Sequence, residues 1–145
     1  AVVQEDDPDA TFVYEQMVRL CDEPDLNGML DALRRRSELV REWQLFLDRY
    51  PILICPVSGE LPFPDLADVS SPEAFDNAIE AQLTQVGLPL MSLPGLAVAT
   101  GITEQNVPCG VQLIGGRYRE DTMLAAFEII EAANPVTSPF DPRSA

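Results

Sequence analysis

Four consecutive apolar residues, Ile52-Leu53-Ile54-Cys55, stand between two prolines, Pro51 and Pro56. The run is too short for a helix, and the flanking prolines stop a helix from passing through it. A strand is the element that remains. No polar residue alternates along it, so neither face is prepared for water. Both faces should be covered, as in a parallel sheet held between helices. A chain with such a strand must build layers on either side of it, and that points to an α/β fold.

The remaining segments supply the layers. Leu26, Met29, Leu30, Leu33, Val40, Trp43 and Leu47 recur at intervals of three and four. This spacing predicts a helix from Leu26 to about Asp48, with Asp25 as its N-cap. Arg34, Arg35, Glu38, Arg41 and Glu42 lie on the opposite face, and the triple arginine Arg34–Arg36 reads as a solvated surface. Trp43, Phe46 and Tyr50 thicken the apolar side near the C-terminal end, which is expected to pack on the sheet. A shorter amphipathic helix is predicted over Thr11–Cys21. Ser70-Ser71-Pro72-Glu73 reads as a helix start leading into residues 74–86. Leu88–Leu93 and Leu96–Ala99, split by Pro94-Gly95, read as two short strands or as one strand and its extended continuation. Val111–Ile114 reads as another strand. Asp121–Ala133 reads as a helix with Met123, Leu124, Phe127 and Ile130 turned inward.

Pro56 to Pro72 holds four prolines and a glycine, and forms a loop long enough to be functional or flexible. The 145 residues suit one domain. The expected division is an acidic linker or frayed end at 1–10, the domain at 11–133 and a proline-containing tail at 134–145. Strands are few for so many helices. The expected architecture is therefore α/β, part of a mixed β-sheet sandwiched by helices, with the sheet incomplete.

The missing residue types limit the chemistry. Net charge is −15, and the chain contains neither lysine nor histidine. That excludes Ser-His-Asp and Cys-His catalysis, imidazole metal sites, Schiff-base chemistry and a Walker-type lysine. Cys21, Cys55 and Cys109 have no C-x-x-C spacing and read as reduced thiols. No metal or organic cofactor is demanded. Nucleic acid and anionic membranes are disfavoured by the charge. With no apolar run approaching membrane length and no leader pattern, a soluble cytoplasmic protein is expected. Gly115-Gly116 reads as a strand-to-helix corner where glycine permits a tight backbone. Arg117 and Arg119, near a helix N-terminus, are placed where an anion could be held.

Two further stretches carry a resemblance. "GLPLMSLPG", Gly87–Gly95, is followed by "VPCGVQLIGGRYREDTMLAAFEIIEAA", Val107–Ala133. Together they resemble the C-terminal end of the amidase signature family, and the upstream "REWQLFLDRYPILICPVSGELPFP", Arg41–Pro64, also fits. The match runs from about Leu26 to Ala133. Gly110-Val111-Gln112-Leu113-Ile114-Gly115 is its most specific piece. Cys109 stands where valine is commoner in the family.

The resemblance implies amide hydrolysis by a longer protein. Family members use a serine nucleophile, a second serine joined by a cis peptide bond, and a lysine base. Those residues lie in a preceding Gly/Ser-rich part, so no catalytic residue is carried onto this chain. Ser58 or Ser92 acting alone would need a carboxylate base, poorly matched to that task. The family also implies that C-terminal segments wall the pocket for the acyl part of the substrate. Pro56-Val57-Ser58-Gly59, at the end of a buried strand, is the candidate wall. The implied partner is a small-molecule amide, bound together with the catalytic part. A binding module, or a subunit of an amidotransferase-like complex, is the alternative. A cut sheet should also leave edges that self-associate, pairing Val111–Ile114 or Leu88–Leu93 across a dimer.

Overall fold

Side-chain caps open three of the five described α-helices, two at the starts the sequence predicts and the first at Pro8, three residues before the expected Thr11 and inside the expected linker. In the computed structural model, which describes residues 7–134, Asp7 accepts hydrogen bonds from the backbone N–H groups of Asp9 and Ala10. It thereby opens α1, Pro8–Arg19, with Pro8 in the first turn where no N–H is needed. Asp25 caps α2, Leu26–Arg49, through the Gly28 N–H at 2.8 Å. Ser71 caps α3, Pro72–Ala81, through the Ala74 N–H at 3.1 Å, again with proline at the helix start. Residues 1–6 and 135–145, which hold most of the expected linker and tail, lie outside the described residues.

The predicted helix over residues 74–86 is two helices. α3 ends at Ala81, and after Gln82 a second helix, α4, runs over Leu83–Met91. The strand expected at Leu88–Leu93 is therefore mostly the last turn of α4. Leu88 and Met91 are buried at helical spacing, while Leu90 points outward. Pro89 sits inside this last turn and removes one helical hydrogen bond there. Ser92 ends the helix with φ +55°, and β2 then begins at Gly95.

The described sheet has three strands in the order β1-β3-β2: Ile52–Pro56, Pro108–Gly115 and Gly95–Ile102. Both pairings are antiparallel, with Leu53 opposite Ile114 and Val98 opposite Val111. This corrects the parallel environment expected for β1, whose Ile54 is 57% exposed. β2 and β3 form a hairpin across Thr103–Val107. In it Asn106 takes φ +63° and Thr103 N–H donates to the Val107 carbonyl at 2.9 Å. A register shift between Ala99 and Gly101 bends the far end of β2. β3 is the central strand, so Val111–Ile114 has no free edge for a second copy. The open edges belong to β1 and β2.

Alternate residues of β3 serve two cores. Ile114 packs with Leu47 of α2, Leu88 and Met91 of α4 and Leu93, joined by Val40, Trp43, Leu53 and Cys55. Leu113, fully buried, packs with Val98 and with Met123 of the last helix, α5, Glu120–Ala133. The sheet is thus sandwiched, α2 and α4 on one face and α5 on the other. Gly115 makes the second layer possible. A Cβ there would lie 2.6 Å from Met123 Sδ. Neither Gly115 nor Gly116 has a positive φ; the left-handed residue of this corner is Tyr118, at φ +61°. Glycine is needed for close approach, not for backbone freedom.

Large apolar areas stay uncovered. On α2 only Leu47 is buried, and Leu26 is 74% exposed, with Met29, Leu30 and Leu33 beside it. Trp43 joins the core as expected, but Phe46 and Tyr50 stack in the open with ring centroids 5.0 Å apart. Leu124, expected inward, is exposed on α5. Arg36 departs from the solvated face assigned to its neighbours. Its Nε donates to the Leu90 carbonyl at 2.6 Å and its Nη2 to Ser92 Oγ at 2.9 Å, tying α2 to the strained turn after α4.

Candidate functional site

The strands differ in reach, and that difference opens a cleft. β1 pairs with β3 only as far as Pro56 opposite Val111, whereas β2 follows β3 to Pro108. Pro108, Cys109 and Gly110 therefore have a strand on one side only. The chain leaving β1 turns away here, and a cleft of about 470 Å³ lies between the two. That volume falls within the usual range of small-molecule sites. Pro56, Val57 and Ser58 line it with Glu60, Leu61, Pro62 and Phe63 on the same loop, and Gln82 closes another side. Gly59 is not in the lining.

The loop wall is fixed by the junction of α3 and α4. Ala81, whose carbonyl ends α3, accepts from the Gly59 N–H at 2.7 Å and from Ser58 Oγ at 3.3 Å. A Cβ on Gly59 would stand 3.3 Å from that same carbonyl oxygen, so glycine allows the approach. The Val57 carbonyl accepts from Thr84 Oγ1 at 3.1 Å and from Gln85 Nε2 at 2.7 Å. Gln85 Nε2 also donates to Oε1 of Gln112, a buried polar side chain on β3 that is only 7% exposed. Helix, loop and strand are joined through one amide. On the strand side, a Cβ on Gly110 would meet the Val98 carbonyl oxygen at 2.4 Å, so glycine is required there too.

Neither serine considered as a nucleophile contacts a base. Ser58 Oγ donates to Ala81 and accepts from the Glu60 N–H at 3.3 Å. Ser92 Oγ accepts from Arg36. Arg117 and Arg119 border a separate cavity of about 220 Å³ that also includes Asp48. Arg117 Nε donates to the Ser92 carbonyl at 3.3 Å, and Arg119 pairs with Asp121 at 3.4 Å and donates to Thr122 Oγ1 at 2.7 Å. An anion arriving there meets carboxylates as well as cations. Among the described residues no cluster of cysteine and carboxylate ligands suits a metal, and no helix is long and apolar enough to cross a membrane. Burial pushes the Cys55 thiol up from its ordinary value.

Sequence reasoning missed Pro108, Cys109, Gly110, Gln82 and the loop beyond Gly59. A strand-end offset leaves no local pattern, and Gln82 sits in a break that periodicity did not show.

Comparison with solved proteins gives the class of fold first. The chain superposes on 6-aminohexanoate cyclic dimer hydrolase with a TM-score of 0.65 and 18% identity, over 86% of this chain and 28% of that one. A structure of the same hydrolase with its substrate gives a TM-score of 0.64. The architecture of this chain matches the corresponding part of that fold.

Sequence comparison then assigns the family: the amidase model matches residues 13–124, and the chain belongs to the amidase family. An indoleacetamide hydrolase of Bradyrhizobium diazoefficiens is 33% identical over 108 residues, 74% of this chain and 20% of the relative. A glutamyl-tRNA(Gln) amidotransferase subunit of Beijerinckia indica is 42% identical over 117 residues, 77% of this chain and 23% of the relative. The chain spans between a fifth and a quarter of the length of these relatives.

Proposed function

We propose that this chain is the C-terminal portion of an amidase-type hydrolase. In the complete protein a Ser-cisSer-Lys mechanism cleaves a carbon–nitrogen amide bond. This portion supplies core and substrate-pocket wall and is inactive alone. The carrying observation is that an amidase model covers residues 13–124 of a chain with no lysine and no histidine. A fold can persist without the base that the chemistry needs, but turnover cannot. The hydrogen-bonded loop Val57–Glu60 supports the wall assignment, because a substrate wall must be set before substrate arrives.

The expected setting is cytoplasmic, with a small-molecule amide as ligand and no nucleic acid or membrane partner. On its own the chain self-associates through β1 or β2, since β2, Gly95–Ile102, carries no charged residue to protect its edge. The 42% identity to an amidotransferase subunit favours a second reading, a component of an amidotransferase-like complex.

The test is hydrolysis of a generic aryl amide by this chain and by the product of the complete gene. Activity in the complete product alone is the expected result. Turnover by this chain alone would place a carboxylate-based site in it and overturn the reading.

A further inference from the structure

We propose that the corner where Arg36 and Arg117 meet Ser92 is a binding site for a phosphate monoester. It lies apart from the cleft. Gly95, just after Ser92, pairs with Ile114, whereas the cleft is bordered by Pro108–Gly110, so the two sit at opposite ends of β3. It is a second site, independent of amide hydrolysis.

Charge is the first ground. The chain sets nine arginines against 24 carboxylates, so a surface arginine has many carboxylates to pair with. Arg19, Arg34, Arg35 and Arg119 each find one. Among the described residues Arg36 and Arg117 do not, and both turn to the same serine instead. Arg36 Nη2 donates to Ser92 Oγ at 2.9 Å, and Arg117 Nε donates to the Ser92 carbonyl at 3.3 Å. Two cations brought to one neutral residue repel each other, and nothing there compensates them. Net charge of −15 opposes an anion at a distance, but beyond about 10 Å it is screened at moderate salt, so the local pair decides.

The second ground is the supply of donors. Arg36 spends Nε on the Leu90 carbonyl and Nη2 on Ser92 Oγ, which fixes its guanidinium before a ligand arrives. Among the described residues its Nη1, both Nη atoms of Arg117 and the Ser92 hydroxyl proton go to no acceptor. Guanidinium forks and a hydroxyl proton at one point suit the oxygens of a phosphoryl dianion. A carboxylate, with one charge, would answer only one of the two cations. Arg119, expected to share an anion with Arg117, is engaged by Asp121 and Thr122, and Arg36 takes its place from α2.

The third ground is space. A cavity of about 430 Å³ opens beside Ser92, with Pro94, Arg117 and Tyr118 in its lining, and leaves room for the group that the phosphate esterifies. Glu120 also borders it, but is exposed and therefore screened by water.

Phenylglyoxal labelling of arginines, read residue by residue by peptide mass spectrometry, tests this on the chain as it stands. Inorganic phosphate is the probe, with chloride added to match ionic strength. At about 10 mM phosphate, ten times a Kd of about 1 mM, labelling of Arg36 and Arg117 is expected to slow about tenfold by mass action. The exposed Arg34 serves as reference and should not change. Acetate at the same concentration should protect less. In Arg117→Gln, phosphate should lose most of its protection of Arg36 while the circular dichroism spectrum is kept.

Unchanged labelling of Arg36 and Arg117 in phosphate would overturn the proposal. Equal slowing at Arg34 would do the same, since it would mark a general salt effect. Equal protection by acetate, or undiminished protection of Arg36 in a folded Arg117→Gln chain, would also sink it. Once protection is seen, a chain synthesised with a phosphate on Ser92 identifies where the phosphoryl group comes from. Slow labelling of both arginines without added phosphate supports phosphorylated Ser92 as the occupant. Labelling as fast as in the unmodified chain supports a free phosphate ester.

Discussion

At Gly115 a missing side chain decides whether two layers can meet. The Cβ that any other residue would bring there falls 2.6 Å from the sulfur of Met123, which is 2% exposed. Gly115→Ala should therefore destabilise the chain by about 1–3 kcal/mol through overpacking. Chemical denaturation checks this, and an unchanged midpoint would show that Met123 moves aside freely. Cys55 gives a prediction in pH. Its folded thiol is pushed up by desolvation, so the native state keeps a proton that the unfolded state gives away. Its contribution is fully present below the unfolded pKa and is lost as pH rises above it. Stability should fall at alkaline pH, and Cys55→Val should flatten that fall; denaturation curves at neutral and alkaline pH compare the two. Residue-scale reading succeeded where chemistry is local. Asp25 and Ser71 cap the helices their sequences announce. It missed Arg36, because nothing in a run of three arginines tells which one reaches Leu90 and Ser92 across 54 and 56 residues.

Among the elements, the α3–α4 junction does most to shape the cleft. Gln85 holds the Val57 carbonyl and the buried Gln112 together. Gln85→Ala leaves both acceptors without this donor and should cost about 1–3 kcal/mol. It should also loosen the loop, visible as faster hydrogen exchange at Gly59, whose N–H is bonded to Ala81. Unchanged exchange at Gly59 would show that the loop stands without Gln85. This junction was not legible in the sequence. Leu88-Pro89-Leu90-Met91 reads as a strand because proline argues against a helix and apolar runs fit either element. In the structure Pro89 costs the helix one hydrogen bond, and the helix ends two residues later at Met91. β1 misled in the opposite direction. An all-apolar run suggested two covered faces, yet Ile54 is exposed beside an open sheet edge. Only the first part of the cleft wall had a local signal, the proline-rich loop after β1. The strand side depends on how far β3 outruns β1, a fact of register that no single segment encodes.

For the molecule as a whole, the uncovered apolar surface is the organising fact. Leu26, Met29, Leu30 and Leu33 keep the spacing of a buried helix face while lying in the open. Among the described residues both outer strands keep unpaired edges, and the matched region spans only 20% and 23% of the two family relatives. The proposed function reads these surfaces as an interior covered by the rest of an amidase. Amide hydrogen exchange measures this directly. The comparison is between this chain, at a concentration where light scattering shows a monomer, and the complete gene product. We expect amides of β1 and β2, and those of α2 from Leu26 to Leu33, to exchange fast in the isolated chain and slowly in the complete protein. Equal exchange in the two would contradict this, because the edges and the apolar face would then be true outer surfaces.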